Sequence, residues 1–148
     1  TLTVFGDGPE RETLEKLAET EGIRGRVDCR GQCTRKELGD AYAQMDAFVL
    51  ASRRETFGVV YIEAMAVGLP VIATRCGGPE DFVTEENGIL IPVDDESALI
   101  DAMERMMLRR EDYASAAIST DIRRKFAPET IAARLTEIYT AVLENRGH

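Results

Sequence analysis

The chain has 148 residues, of which 44% are hydrophobic and 30% charged, a composition that suits a globular domain of ordinary size and excludes a disordered segment. Its 18 basic and 27 acidic side chains give a net charge of −9, and no basic run is longer than a dipeptide except Arg123-Arg124-Lys125, so no nucleic-acid partner is expected. No apolar stretch approaches the length of a bilayer span, and no basic block followed by a hydrophobic one opens the chain.

Thr1-Leu2-Thr3-Val4-Phe5 reads as a strand with no initiating Met, and the sequence is expected to be part of a longer protein. Gly6-Asp7-Gly8-Pro9 ends that strand and puts Pro near the first turn of a helix over 9–21, where its missing amide hydrogen costs nothing; Gly22 closes the helix. A strand near 26–30 precedes a helix over 34–44, which Thr34 and Glu37 begin as a capping box. A third strand near 46–51 leads to a helix over 57–67, stopped by Gly68 and Pro70. Strands near 70–74 and 88–92 flank a short helical turn near 78–84. Three helices follow, over 95–108, 110–125 and 128–145, the last two divided by Pro128. Leu99, Met103 and Met106 recur at helical spacing, as do Ile131, Leu135, Ile138 and Val142.

Strands alternating with helices predict an α/β fold: a Rossmann-like parallel sheet of about five strands, helices on both faces, and a ligand crevice at the carboxyl ends of the strands. No repeat or composition shift marks a boundary, so residues 1–148 are expected to form a single domain.

Gly6-Asp7-Gly8 after a strand invites a dinucleotide reading, but Arg11 occupies the position of the third glycine of that fingerprint. The motif reads as a tight strand-to-helix turn. Cys29, Cys33 and Cys76 cannot all pair, and the one histidine is His148. A reduced, cytoplasmic setting is expected, with no metal, because Cys29 and Cys33 lack two further soft ligands. Asp94-Asp95-Glu96 reads as loop and helix start, with Asp95 or Ser97 as the cap.

The stretch Glu55 to Pro70, ETFGVVYIEAMAVGLP, carries the most chemistry. A helix apolar on every face belongs in an interior, and Glu63, its one charge, is costly there unless hydrogen-bonded or paired. A ligand that donates hydroxyl groups at the helix N-terminus would satisfy it. Residue 63 should lie about two turns inside the helix, with Glu55 beside its start. The amides of Phe57, Gly58 and Val59 would face an anion there. Two carboxylates also invite a glycosidase reading, but placed along one helix axis they suit two parts of one elongated ligand better. From the residues alone, a solvated Glu55 and a satisfied core Glu63 remain an equal alternative.

Glu55 through Ala66 resembles the E-x7-E region of the retaining glycosyltransferases of the GT-B fold in the large group-one family called family 4. The likeness extends to Gly6-Asp7-Gly8-Pro9, Val27 through Gly31, Asp46 through Leu50, Gly68 through Ala73, Gly77-Gly78-Pro79-Glu80 and Asn87-Gly88-Ile89-Leu90, together roughly residues 1–100. It implies the C-terminal, donor-binding half of such an enzyme. Glu63 would accept hydrogen bonds from the ribose of a nucleoside-diphosphate sugar. Glu55 would contact the hexose and carry any catalytic contribution, and the amides of Thr56, Phe57, Gly58 and Val59 would meet hexose and phosphates. Arg30, Gly31 and Gln32 would lie near the nucleobase, and Gly77 and Gly78 would line the same crevice. No cofactor is implied. Two of the family's features are missing: an Arg and a Lys that bind the pyrophosphate, after a strand that would precede Thr1, and the N-terminal domain that binds the acceptor. A glycan or lipid-linked acceptor, and any membrane association, would belong to that domain, in a pathway such as polysaccharide biosynthesis. Competing readings are a sugar-nucleotide epimerase, a glycan phosphorylase or a non-catalytic binding module; the first two would call for a His or Lys in the crevice, which this stretch lacks.

Overall fold

The computed structural model describes residues Thr1–Asn145, and all five expected strands are present: β1 (Leu2–Phe5), β2 (Val27–Gly31), β3 (Phe48–Leu50), β4 (Val71–Thr74) and β5 (Gly88–Ile91). Every ladder is parallel. Leu2 lies opposite Val27 in the first, and Ile72 of β4 lies between Val49 and Ile89 in the others. The α/β architecture is as expected, but the strands form two hydrogen-bonded sheets, β1-β2 and β3-β4-β5, in place of one. Among the described residues β1 and β3 each pair along one edge only, and hydrogen bonding stops there. The chain divides correspondingly into two compact units, Thr1–Ala41 and Tyr42–His148.

The first unit holds β1, α1 (Arg11–Thr20), β2 and all but the last residue of α2 (Arg35–Tyr42). Along β2, half-buried Val27 and Cys29 alternate with exposed Asp28 and Arg30, the pattern of a strand covered on one face, and α1 packs against it. Helix α1 ends on Gly22 at φ +69°, with the amides of Gly22 and Ile23 donating to the carbonyls of Glu19 and Ala18. That is a Schellman closure, which favours glycine for its positive φ.

Helix α2 starts on the expected capping box. The Thr34 amide and hydroxyl both donate to Glu37 Oε2 at 2.7 Å, and the Glu37 amide returns a bond to Thr34 Oγ at 3.3 Å. The Thr34 amide, then its hydroxyl, hold the Glu37 carboxyl below its ordinary value of 4.5. A lowered carboxyl stabilises the fold above its ordinary pKa and loses that contribution as pH falls through the lowered value. Thr34→Ala should cost about 1 kcal/mol, read by urea unfolding at neutral pH, and the gap from the parent should narrow in acid.

In the second unit, all four residues of β4 are buried, so both faces of this sheet are covered. Ile72, Ile89 and Ile91 pack with Ala102 and Met106 of α4 (Glu96–Leu108) on one face. Val71 and Ala73 alternate to the other face, the side of Phe48, whose ring meets Tyr61 of α3 (Val59–Ala66) edge-on at 5.5 Å. Asp95 caps α4 by accepting from the Ala98 amide at 2.9 Å, and Asp94 pairs with Arg53 at 2.7 Å. Loop and helix start is therefore the correct reading of that acidic run.

One expected helix is broken. Residues 110–125 divide into a 3-10 turn over Arg110–Asp112 and α5 (Ser115–Lys125), with Tyr113 and Ala114 extended between them. The Arg110 guanidinium spans the break, donating to the Tyr113 carbonyl at 3.3 Å and the Ser115 hydroxyl at 3.2 Å. Pro128 begins α6 (Pro128–Asn145) as expected. Its apolar stripe is not a core face: Leu135 is 47% exposed and Ile138 58%.

Candidate functional site

Within the second unit, Glu55 through Gly58 end the loop that leads from the carboxyl end of β3 into α3, and Gly77-Gly78 follow the carboxyl end of β4. The structure brings these two loops together backbone to backbone. The Glu55 amide donates to the Cys76 carbonyl at 3.4 Å, and the Gly78 amide donates to the Glu55 carbonyl at 3.0 Å, making a parallel bridge between residues 55 and 77. No side chain fits between them. A Cβ on Gly77 would stand 2.8 Å from the Glu55 carbonyl oxygen, and one on Gly78 would stand 2.5 Å from the Phe57 oxygen and 2.6 Å from its carbonyl carbon. The Phe57 ring anchors the loop further, packing edge-on against Phe126 at 5.7 Å and Phe82 at 6.1 Å.

Helix α3 opens from Gly58 at φ 88° and ψ 50°, a left-handed residue with no side chain to cap the first turn. Among the described residues the amides of Thr56, Phe57, Gly58 and Val59 donate no hydrogen bond. Free amides that lead into the positive end of a helix form an anion-binding surface. The half-buried carboxylate of Glu55 stands next to them. An elongated ligand with an anionic centre and hydroxylated ends matches that order of groups.

Two expectations about α3 need correction. The helix begins at Val59, so Glu63 lies four residues, or about 6 Å, along its axis, closer to one turn inside than two. Nor is the helix interior on every face: only Tyr61, Ala64 and Met65 are fully buried, while Val59 is 48% exposed. An eight-residue helix on one side of a three-stranded sheet cannot be enclosed all round, and its apolar composition overstates its burial. Glu63 is half-buried, so its carboxylate is not sealed in an apolar interior.

Arg30, Gly31 and Gln32 lie in the first unit, at the end of β2 and in the loop after it. Gly31 is buried, at φ +72°, and its carbonyl accepts from the Gly6 amide at 2.8 Å. Arg11 sits over it: the guanidinium donates to the Cys29 carbonyl at 3.0 Å, and a Cβ on Gly31 would stand 2.8 Å from Arg11 Nη1. The residue that spoils the dinucleotide fingerprint thus braces this turn. Arg30 is exposed, bonded to Asp28 at 2.8 Å and placed over the Phe5 ring at 5.8 Å. Gln32 is exposed.

A polar cleft of about 590 Å³ lies beside β5 and the end of α4, lined by Arg75, Glu80, Arg105, Arg109 and Tyr113 among others. None of the candidate residues lines it. Tyr61 lies directly beneath the Glu55 loop; its hydroxyl within the predominantly apolar helix VVYIEAMA is the signal for it in the sequence.

The profile of the family described as "Glycosyl transferases group 1" matches residues 1–120. The GDP-mannose-dependent alpha-mannosyltransferase of Mycobacterium tuberculosis (strain CDC 1551 / Oshkosh) is 42% identical over 118 residues, which are 78% of this chain and 30% of that protein. The lipopolysaccharide core biosynthesis mannosyltransferase LpsB of Rhizobium meliloti (strain 1021) is 34% identical over 139 residues, 90% of this chain and 39% of its own. Among solved structures, sucrose-phosphate synthase from Thermosynechococcus elongatus superposes with a TM-score of 0.79 at 30% identity, covering 97% of this chain and 39% of that one. The chain thus spans well under half the length of these relatives. The sequence match across both loops and the shared fold make this chain a member of the group 1 glycosyltransferases.

Proposed function

We propose that the chain is the donor-binding half of a longer, retaining family 4 glycosyltransferase, which moves a hexosyl group from a nucleoside-diphosphate sugar to an acceptor hydroxyl. The observation that carries this reading is the paired loop at the ends of β3 and β4, where Glu55 and free helix-start amides stand side by side. The 42% identity to a GDP-mannose-dependent enzyme supports a nucleotide-sugar donor.

In this proposal Glu63 accepts hydrogen bonds from the ribose, the amides of Thr56 through Val59 hold phosphate and hexose, and Glu55 orients the hexose. Arg30, Gly31 and Gln32 serve the nucleobase. Glu55 also carries whatever catalytic contribution a side chain of this chain makes. Positioning of donor and acceptor, with electrostatic stabilisation of the departing diphosphate, supplies the rate. The acceptor, a glycan or lipid-linked sugar, belongs to the rest of the enzyme. A cytoplasmic setting goes with this reading.

The test is to incubate the full-length enzyme with a panel of nucleoside-diphosphate sugars and sugar acceptors and to read the anomeric configuration of the product by NMR. One donor should turn over with retention, and residues 1–148 alone should give no product. Inversion would refute the retaining assignment, and multiple turnover by the chain alone would show that the catalytic groups lie elsewhere than proposed.

A further inference from the structure

We propose that Tyr61 is a positioning residue for Glu55: through the loop it braces, it sets how the hexose end of the donor is held without touching the donor. This rests on the donor-binding reading above.

Tyr61 is 0% exposed. Its hydroxyl donates to the carbonyl of Leu50, the last residue of β3, at 2.6 Å. Its ring is fixed by edge contacts to Phe48 at 5.5 Å and by Phe82 at 6.5 Å, an arrangement favourable beyond the area it buries. The main chain of Gly58 rides on that ring. A Cβ there would stand 2.7 Å from Tyr61 Cδ2 and 3.1 Å from Cε2, and 3.3 Å from Glu55 Cγ. One side chain therefore fixes both where the loop leaves the sheet and where it enters α3.

Between those points the loop is also held by the Arg53–Asp94 pair and by the Phe57 ring against Phe82 and Phe126, and its main chain is tied from β4 and the turn after it. The Thr74 hydroxyl donates to the Ser52 carbonyl, and the backbone of Glu55 is bridged to Cys76 and Gly78. Burial is the main influence on the phenol, pushing its pKa up to about 12, with the Ser52 hydroxyl drawing it partly back. The group thus stays a hydrogen-bond donor throughout the working pH range. A phenylalanine would fill the same volume and keep the ring contacts. The hydroxyl adds the tie to Leu50 and the contact with the Ser52 hydroxyl, both at the start of the loop.

The experiment uses Tyr61→Phe, Glu55→Gln, their double variant and Glu63→Ala in the full-length enzyme. It measures the affinity of nucleoside diphosphate without sugar and the kcat/KM for the nucleotide sugar. Tyr61→Phe should lower kcat/KM about tenfold, as a small misplacement of a reacting group does, and diphosphate affinity by much less, because the main chain that carries the phosphate-facing amides keeps its ties to Cys76 and Gly78. In the Glu55→Gln background it should add almost nothing, because the two act as one unit. Phe48→Leu, which frees the ring from its other side, should show the same selective loss and serves if Tyr61→Phe does not fold. Wild-type kcat/KM, an equal loss in diphosphate and nucleotide-sugar binding, or additive effects with Glu55→Gln would overturn the assignment. If Glu63→Ala leaves diphosphate affinity intact, the donor-binding reading itself fails and this inference falls with it; if Glu63→Ala weakens affinity while Tyr61→Phe behaves as wild type, this inference alone fails.

Discussion

Glu63→Ala in the full-length enzyme should weaken nucleoside-diphosphate binding about ten- to a hundredfold, because hydrogen bonds to a charged group contribute roughly 1.5–3 kcal/mol. The half-buried position of Glu63 makes this a test of binding more than of folding. A charge sealed in an apolar core would put the fold itself at risk when altered, whereas a carboxylate at intermediate exposure, just over one turn inside α3, is replaced by alanine with modest change in packing. Calorimetric titration of wild type and variant checks the prediction. A folded variant that binds as tightly as wild type would assign Glu63 a purely structural role and overturn the donor-binding reading.

Gly78→Ala should be the most damaging small substitution in the second unit. The new methyl group would enter the space of the Phe57 main chain, 2.5 Å from its oxygen and 2.6 Å from its carbonyl carbon, and backbone cannot swing aside as a flexible side chain can. Overpacking of this kind costs roughly 1–3 kcal/mol. It should also separate the two loops and lower donor affinity more than tenfold, by analogy with a displacement of about 1 Å at a reacting centre. Gly39→Ala is the control. It lies in α2 with nothing within 4 Å of a new Cβ, and there alanine should be neutral or stabilise by roughly 0.5–1 kcal/mol. Thermal melts and titration of both variants with nucleoside diphosphate separate a local clash from a general intolerance of substitution.

Local pattern made the secondary structure legible. The five strands and the starts of α2 and α4 follow from alternation, glycine stops and the caps Thr34 and Asp95, all of which act within a few residues. What was not legible depends on the reach of individual side chains or on residues far apart in sequence. The extended pair Tyr113-Ala114 is held by the Arg110 side chain reaching across it, and nothing in the local propensity breaks that helix. The separation into two sheets is a matter of which strand edges meet, and strand composition does not encode that. At the candidate site, Glu55, Gly58 and the Gly77-Gly78 pair stood out by type, while their contact across more than twenty residues did not. The apolar run around Glu63 implied deeper burial than the structure gives, because hydrophobic content reports tendency and leaves open how many neighbours are there to cover each face.

Helix α3 begins on a left-handed glycine, and the amides of Thr56 through Val59 that lead into it meet no acceptor among the described residues. A Cβ at Gly58 would stand 2.7 Å from Tyr61 Cδ2, so no serine, threonine or aspartate can cap this turn, and the helix start stays open at the place where an anion is proposed to bind. Heat tolerance then becomes a gauge of occupancy. A ligand that completes this turn should stabilise the folded chain by an amount that grows with the logarithm of its concentration, about 2.7 kcal/mol at a hundred times its Kd. The melting temperature can therefore rank nucleotides and sugars for this site before any acceptor is known.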